Sequence, residues 1–292
     1  MSDRPDRTRT PGPDGPAPPA TEGPFDLVAG VDGLRPAHGP IFAVVGVFDG
    51  LHRGHRWLLD ALLVNAERLG ARPAVITFDS HPDEVLVGAA PPLLLDPVDR
   101  LRLLRDAGVT VVVVQHFDAA VRRTPYDAFI RMITDRTRLA GLLMTPDAAF
   151  GHERRGTPDA LAALGAASEP SFEVVVLPPF SVDGGPVSSS TIRRLVEAGE
   201  LAAAGDLLGR PYGVAGEPLE PGPSPTGKGP FVLGFPLPVA LPPIGTYDVS
   251  VVDADLPGPS FRATAEVHHS PPSVAIHNVA LPAARRLRVV FD

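Results

Sequence analysis

The sequence predicts an α/β domain built on a parallel sheet, followed by a small all-β domain. Three observations carry that expectation. From Ile41 onward short apolar runs alternate with segments of helical period, that period stops after Arg210, and proline and glycine then crowd residues 213–245 between β-like runs. With 292 residues and 44% hydrophobic content, the chain is long enough to bury two cores.

Taken in order, residues 1–38 are expected to form a disordered, proline-rich arm. The first 24 residues hold seven prolines and no aromatic, and they lack the apolar stretch of a secretory signal. A domain over residues 39–210 follows. Its strand candidates are Ile41–Gly46, Pro73–Phe78, Thr110–Gln115, Leu142–Thr145 and Phe172–Leu177, all short enough for buried strands. Between the first two, Leu58, Leu59, Leu62, Leu63, Ala66 and Leu69 recur at three- and four-residue steps, which predicts a helix from about Gly54 to Leu69 with that stripe on the sheet. Asp96-Pro97 and Thr124-Pro125 each offer a capping side chain followed by proline at the first helical position, so each predicts a helix start. A boundary is expected near Pro211. Residues 211–292 then read as an all-β module, with strands at Tyr247–Val252 and Leu287–Phe291.

A formal charge of -8 and a pI near 5.6 offer no general attraction to nucleic acid or anionic lipid, so neither is an expected partner and any phosphate must be bound locally. The absence of cysteine excludes disulfides, thiolate zinc sites and a cysteine nucleophile, and it suits a reducing cytoplasm. No stretch approaches the roughly 18 consecutive apolar residues that span a bilayer. The sequence names no protein partner.

The segment Gly46-Val47-Phe48-Asp49-Gly50-Leu51-His52-Arg53-Gly54-His55 lies where the first of these strands ends and the first long helix begins. Helix N-termini at such points bind phosphate, because their N–H groups and partial positive charge face the ligand, and Gly54 leaves the backbone open to approach. His52 and His55 frame the spot, and each imidazole can donate to a non-bridging oxygen as charge builds on phosphorus. Taken alone, two histidines three apart read as a metal pair or as side chains satisfied at a helix start.

In its setting between strand and helix, this run resembles the signature of the nucleotidyltransferase superfamily, and its Phe-Asp-Gly element is similar to the adenylyltransferase half of bacterial bifunctional riboflavin kinase/FAD synthetases. Val187-Ser188-Ser189-Ser190-Thr191-Ile192-Arg193 resembles that family's Ser-Ser-Thr-x-x-Arg motif, with Ser190 in the threonine place. Alone it would read as a serine cap and a surface arginine. Thr77-Phe78-Asp79-Ser80-His81-Pro82 is similar to the family's Phe-x-Pro-His-Pro turn. Thr145-Pro146-Asp147-Ala148-Ala149-Phe150-Gly151, with Arg154 and Gly156 beyond it, resembles the Gly-x-Asp/Asn-Phe-x-Phe-Gly loop that approaches flavin and nucleotide, Thr145 and Ala148 departing from it. Leu207-Leu208-Gly209-Arg210-Pro211-Tyr212 resembles the junction between the family's two domains, and Leu207, Leu208 and Tyr212 also suit a core.

The resemblance implies a Rossmann-like nucleotidyltransferase domain followed by a riboflavin-kinase-like barrel. It implies transfer of AMP from ATP to FMN, giving FAD and pyrophosphate, with Mg²⁺ as cofactor. His52, His55 and Arg193 would be catalytic. Gly46, Phe48, Asp49, Gly54, Ser188, Ser189 and Ser190 would meet the nucleotide, and Phe78, His81, Pro82, Asp147, Phe150 and Gly151 the flavin; no side chain is assigned to a metal. Two alternatives stay open: another phosphate acceptor, or a noncatalytic flavin- or nucleotide-binding paralogue.

For the second domain the same resemblance predicts lost kinase chemistry. Gly227-Lys228 and Gly234-Phe235-Pro236 are similar to the kinase's glycine-rich approach to ATP, but Leu237-Pro238-Val239 stands where the family has Thr-Ala-Asn. That exchange removes oxygens expected to hold Mg²⁺ and phosphate. Gly245-Thr246-Tyr247 resembles the family's Gly-Val-Tyr strand, and Val274-Ala275-Ile276-His277 aligns with Val-Glu-x-His, so Ala275 takes the place of the catalytic glutamate. The sequence stops at Asp292, before the family's following helical segment.

Overall fold

A computed structural model describes residues 24–182, 184–219, 230–277 and 286–292. Two compact units emerge, the first comprising residues up to Phe48, Gly54–Ala90 and Leu101–Phe180, the second Asp49–Arg53, Pro91–Arg100 and Ser181–Asp292. The second therefore begins well before the expected boundary at Pro211 and also gathers two short pieces of chain from the first half.

The first unit is a six-stranded parallel sheet. Its strands are β1 (Asp26–Ala29), β2 (Ile41–Val45), β3 (Arg72–Phe78), β4 (Val111–Gln115), β5 (Leu139–Met144) and β6 (Glu173–Val176), in the order β1-β4-β3-β2-β5-β6. The helices along this part of the chain are α1 (Arg53–Arg68), α2 (Pro82–Leu86), α3 (Pro97–Asp106), α4 (Ala119–Arg123), α5 (Tyr126–Thr134) and α6 (Pro158–Ala167). β-branched runs such as Val111–Val113 make central strands because both faces are covered and their stiff side chains fit the pleat. Ile41, Ala43, Ala74, Ile76, Val111 and Val113 share one core with Phe129, Ile130 and Ile133 of α5.

Two expectations for this region are corrected. The arm expected over residues 1–38 gives way at Asp26, where β1 pairs in parallel with β4, Asp26 opposite Val111 and Ala29 opposite Val114. Arg72 ties that strand down, with Nη1 2.7 Å from Asp26 Oδ2 and Nη2 donating to Pro24 O at 2.8 Å, and Val31 lies in the core. Four residues are too few for a visible alternation, so only the partner strand reveals β1. The cap expected at Thr124 is also displaced: Thr124 ends α4, its Oγ1 donating to Ala120 O at 3.0 Å, and α5 starts at Tyr126 after Pro125. At α3 the expected cap is present, Asp96 Oδ1 accepting from Val98 N at 2.8 Å.

In the second unit a short hairpin of β7 (Ser181–Val182) and β8 (Gly185–Pro186) leads into α7 (Ser189–Glu197) and α8 (Leu201–Leu208). Then come β9 (Gly213–Pro218), β10 (Phe231–Gly234), β11 (Gly245–Asp253), β12 (Phe261–His269), β13 (Pro272–His277) and β14 (Leu287–Phe291). They close into an antiparallel barrel of order β10-β13-β12-β11-β14-β9. Val249 and Val251, Ala265 and Val267, Val274 and Ile276, and Leu287, Val289 and Phe291 alternate inward. Ile192 and Val196 of α7 and Ala204 and Leu208 of α8 belong to the same apolar core, which is why these helices go with the barrel and the boundary at Pro211 does not hold. Tyr212 is buried there, its hydroxyl donating to Ala240 O at 2.6 Å. Gly227-Lys228 lies outside the described residues.

Candidate active site

The order of the parallel sheet marks where a ligand belongs. β2 is central, flanked by β3 and β5, and the chain leaves β2 toward β3 but leaves β5 toward β6. At such a reversal the loops after the two strands diverge and open a crevice at their carboxyl ends. The loop after β2 carries the His-x-Gly-His run, and the loop after β5 carries residues 145–156.

Both loops are conformationally strained. Phe48 and Leu51 have φ of 57° and 40°, and Gly50 between them 78°; in the loop after β5, Gly151 has φ 76°, Glu153 56° and Arg154 55°. A side-chain-bearing residue in this region costs of order 1–3 kcal/mol and persists only where its surroundings hold it. In the second unit, Arg210 holds the first loop, Nη2 donating to Gly50 O at 2.6 Å and Nη1 to Leu51 O at 3.3 Å. Ser189 Oγ donates to Asp49 O at 2.9 Å. In the first unit, Thr77 Oγ1 donates to Val47 O at 3.1 Å and Gly46 N to Ile76 O at 3.0 Å.

The side chains expected to meet the nucleotide divide into two groups. Phe48 is buried, its ring centroid 5.0 Å from that of His55, against which it packs. Asp49 is 2% exposed, and its carboxylate accepts from Leu94 N at 3.0 Å and Leu95 N at 3.1 Å and pairs with Arg193 Nη2 at 2.6 Å. Three groups of the protein thus engage that carboxylate. Arg193, expected to reach pyrophosphate, is likewise 8% exposed and donates from Nε to Pro92 O at 2.7 Å. Ser188 caps α7, its Oγ accepting from Thr191 N at 3.2 Å. Ser190 remains exposed in the first turn of α7.

His52 is buried, and its pKa is pushed down to about 4, first by loss of water and then by the Arg210 guanidinium. At neutral pH it is an uncharged imidazole that donates one N–H. His55 and Gly54 occupy the first turn of α1.

Among the expected flavin contacts, Phe78 packs edge-on to Phe117 at 5.3 Å, and His81 caps α2 by accepting from Asp83 N at 3.2 Å, with Pro82 at the first helical position. Phe150 packs edge-on to Phe129 at 5.7 Å and forms a bridge with Gly156. A Cβ on Gly151 would lie 2.6 Å from Tyr126 N, so the loop closes on α5 only with glycine there. Asp147 is exposed, and its carbonyl accepts from Arg154 Nη2 at 3.1 Å. Sequence reasoning missed the role of Arg210 and of the Pro92–Leu95 stretch. Arg210 stood within a quoted motif, whereas residues 92–95 carry no motif and become visible only through Asp49.

A profile of the FAD synthetase family matches residues 35–191. The bifunctional riboflavin kinase/FMN adenylyltransferase of Pseudomonas fluorescens is 32% identical over 196 residues, covering 67% of this chain and 62% of that protein. Its counterpart in Haemophilus influenzae is 34% identical over 175 residues, covering 59% and 56%. The chain thus spans about three fifths of the length of these relatives. A Streptococcus pneumoniae crystal structure described as a macrolide-efflux protein shares the fold, with a TM-score of 0.74 at 22% identity over 91% of this chain and 89% of that one. The profile extends over more than half of the sequence and takes in both the His-x-Gly-His loop and the serines that open α7: the chain belongs to the FAD synthetase family.

Proposed function

We propose that this chain transfers the AMP part of ATP to FMN, and that its barrel has no riboflavin kinase activity. A terminal phosphate oxygen of FMN attacks the α-phosphorus of ATP in line; the new P–O bond forms as the α–β anhydride breaks, and pyrophosphate leaves with the electron pair. No covalent enzyme intermediate is needed, so positioning and charge stabilisation carry the rate. His52 and His55 donate to the oxygens on the transferring phosphorus, the first turn of α1 adds its N–H groups, and Ser190 meets the departing phosphates. The loop with Asp147, Phe150 and Gly151 and the turn with Phe78, His81 and Pro82 receive the flavin. Mg²⁺, implied by the resemblance to the family, enters as part of the MgATP substrate. No helix among the described residues is long and apolar enough to cross a membrane, and the reading sets the reaction in the cytoplasm.

The observation that carries this reading is a buried His52 held uncharged on the strained loop that follows β2, the strand at which the sheet order reverses. For the barrel it is the backbone of Pro238 and Ala240, which is hydrogen-bonded to Leu93, with Ala275 in place of a carboxylate. Incubating the full chain with MgATP and either FMN or riboflavin tests both halves. FAD and pyrophosphate should form from FMN, and no FMN from riboflavin. Binding of FMN without FAD would replace the enzyme with a flavin-binding paralogue.

A further inference from the structure

The barrel unit contains two pieces of chain from far upstream, Asp49–Arg53 and Pro91–Arg100, and hydrogen bonds connect them in series. On one edge, Leu93 bridges Val239 in parallel, with Leu93 N donating to Pro238 O at 2.8 Å and Ala240 N donating to Leu93 O at 2.9 Å. On the other, Pro92 O accepts from Arg193 Nε at 2.7 Å, and Leu94 N and Leu95 N donate to the Asp49 carboxylate at 3.0 and 3.1 Å. Asp49 and Arg193 close the circuit at 2.6 Å, and Leu94 is sunk in the core shared by α7, α8 and the barrel. Asp49 opens the strained turn through Gly50 and Leu51, and His52 follows immediately.

We propose that Pro92–Leu95 is a strap through which the barrel positions the His52 loop, with Asp49 and Arg193 as positioning residues rather than ligands of pyrophosphate. The Leu237–Ala240 stretch, which lacks the oxygens for phosphate chemistry, serves as the anchor of that strap. The geometry explains why an apolar, proline-containing segment suffices there: the anchor contributes one carbonyl and one N–H from its backbone, and no side-chain chemistry is required. It also explains the engagement of Arg193, whose planar fork spans a backbone carbonyl and a buried carboxylate at once. The catalytic part of this inference rests on the adenylyl-transfer reading above.

The test uses the full chain with three changes. Ala240→Pro deletes one anchor N–H, Asp49→Asn neutralises the carboxylate, and the double variant Asp49→Asn/Arg193→Gln removes both charges so that neither is buried alone. A positioning role lowers kcat for FAD formation by about tenfold or more in all three, because small misplacements of reacting groups are costly. The KM for MgATP and the inhibition by pyrophosphate stay within about twofold, a split that general destabilisation or lost phosphate binding would not produce. Hydrogen exchange at the Leu94 and Leu95 amides accelerates in the same variants, and this readout stands even where the wild type makes no FAD. Such a wild type would sink the adenylyl-transfer reading alone. Wild-type exchange at both amides in a folded Ala240→Pro protein overturns the strap. If that variant does not fold, unchanged kcat in Asp49→Asn, or weakened pyrophosphate inhibition confined to the double variant, overturns it instead.

Discussion

The loops at the carboxyl edge of the parallel sheet and the barrel treat backbone strain in opposite ways. All four non-glycine residues with positive φ among the described residues, Phe48, Leu51, Glu153 and Arg154, fall in the two loops after β2 and β5, and none lies in the barrel from Gly213 onward. The barrel keeps a complete closed ladder with Leu237-Pro238-Val239 beside it and Ala275 within it. Its stability comes from the apolar side chains that its strands turn inward. The strained loop after β2 persists because Arg210, Ser189 and Thr77 hold its carbonyls, and strain held in this way is what a preorganised site uses.

The strongest way to break that contrast is His52→Ala. Loss of one donor to the developing charge should lower kcat by about 10²- to 10³-fold with little change in KM, and His55→Ala should act similarly. Wild-type rates of FAD formation in both variants would make the strained loop idle in adenylyl transfer. A second test reads the same residue without substrate. The pKa of His52 is about 4 when folded and an ordinary 6.5 when unfolded, so between those values the unfolded chain binds a proton that the folded chain refuses. Stability is therefore intact above about pH 6.5 and falls as pH drops toward 4, by roughly 3 kcal/mol at full extent. Denaturant unfolding at pH 7 and pH 4.5 should show this loss shrinking in His52→Gln; equal losses in the two proteins would refute the buried, neutral ring.

A pair of glycine substitutions sharpens the comparison at smaller amplitude. Gly151→Ala puts a Cβ against the Tyr126 backbone at positive φ and should cost about 1–3 kcal/mol in thermal unfolding. Gly258→Ala, between β11 and β12 of the barrel, meets nothing within 4 Å and should change stability by less than about 0.5 kcal/mol. Equal effects at the two positions would mean that strain is not concentrated at the sheet edge.

Much of this protein is legible along its chain. Apolar runs bounded by helical period identify five of the six parallel strands to within a few residues, and the leucine stripe identifies α1, because burial on a sheet imposes those periods on the sequence. The His-x-Gly-His loop and the serines opening α7 are legible because they are family motifs of particular residue types at fixed spacing. β1 is not, since four residues in a proline-rich setting carry no period and acquire one only opposite β4. The division of labour inside the motifs is also hidden. Asp49 and Arg193 have the composition of ligand-binding groups, and only the folded chain brings residues 144 positions apart to 2.6 Å and turns them toward each other. Local periodicity and motif spacing are written along the chain, but which donor finds which acceptor is settled by long-range packing. The sequence by itself therefore determined the fold class and the family motifs of the loops, while the tertiary structure decided which of their side chains turn toward one another and which stay exposed.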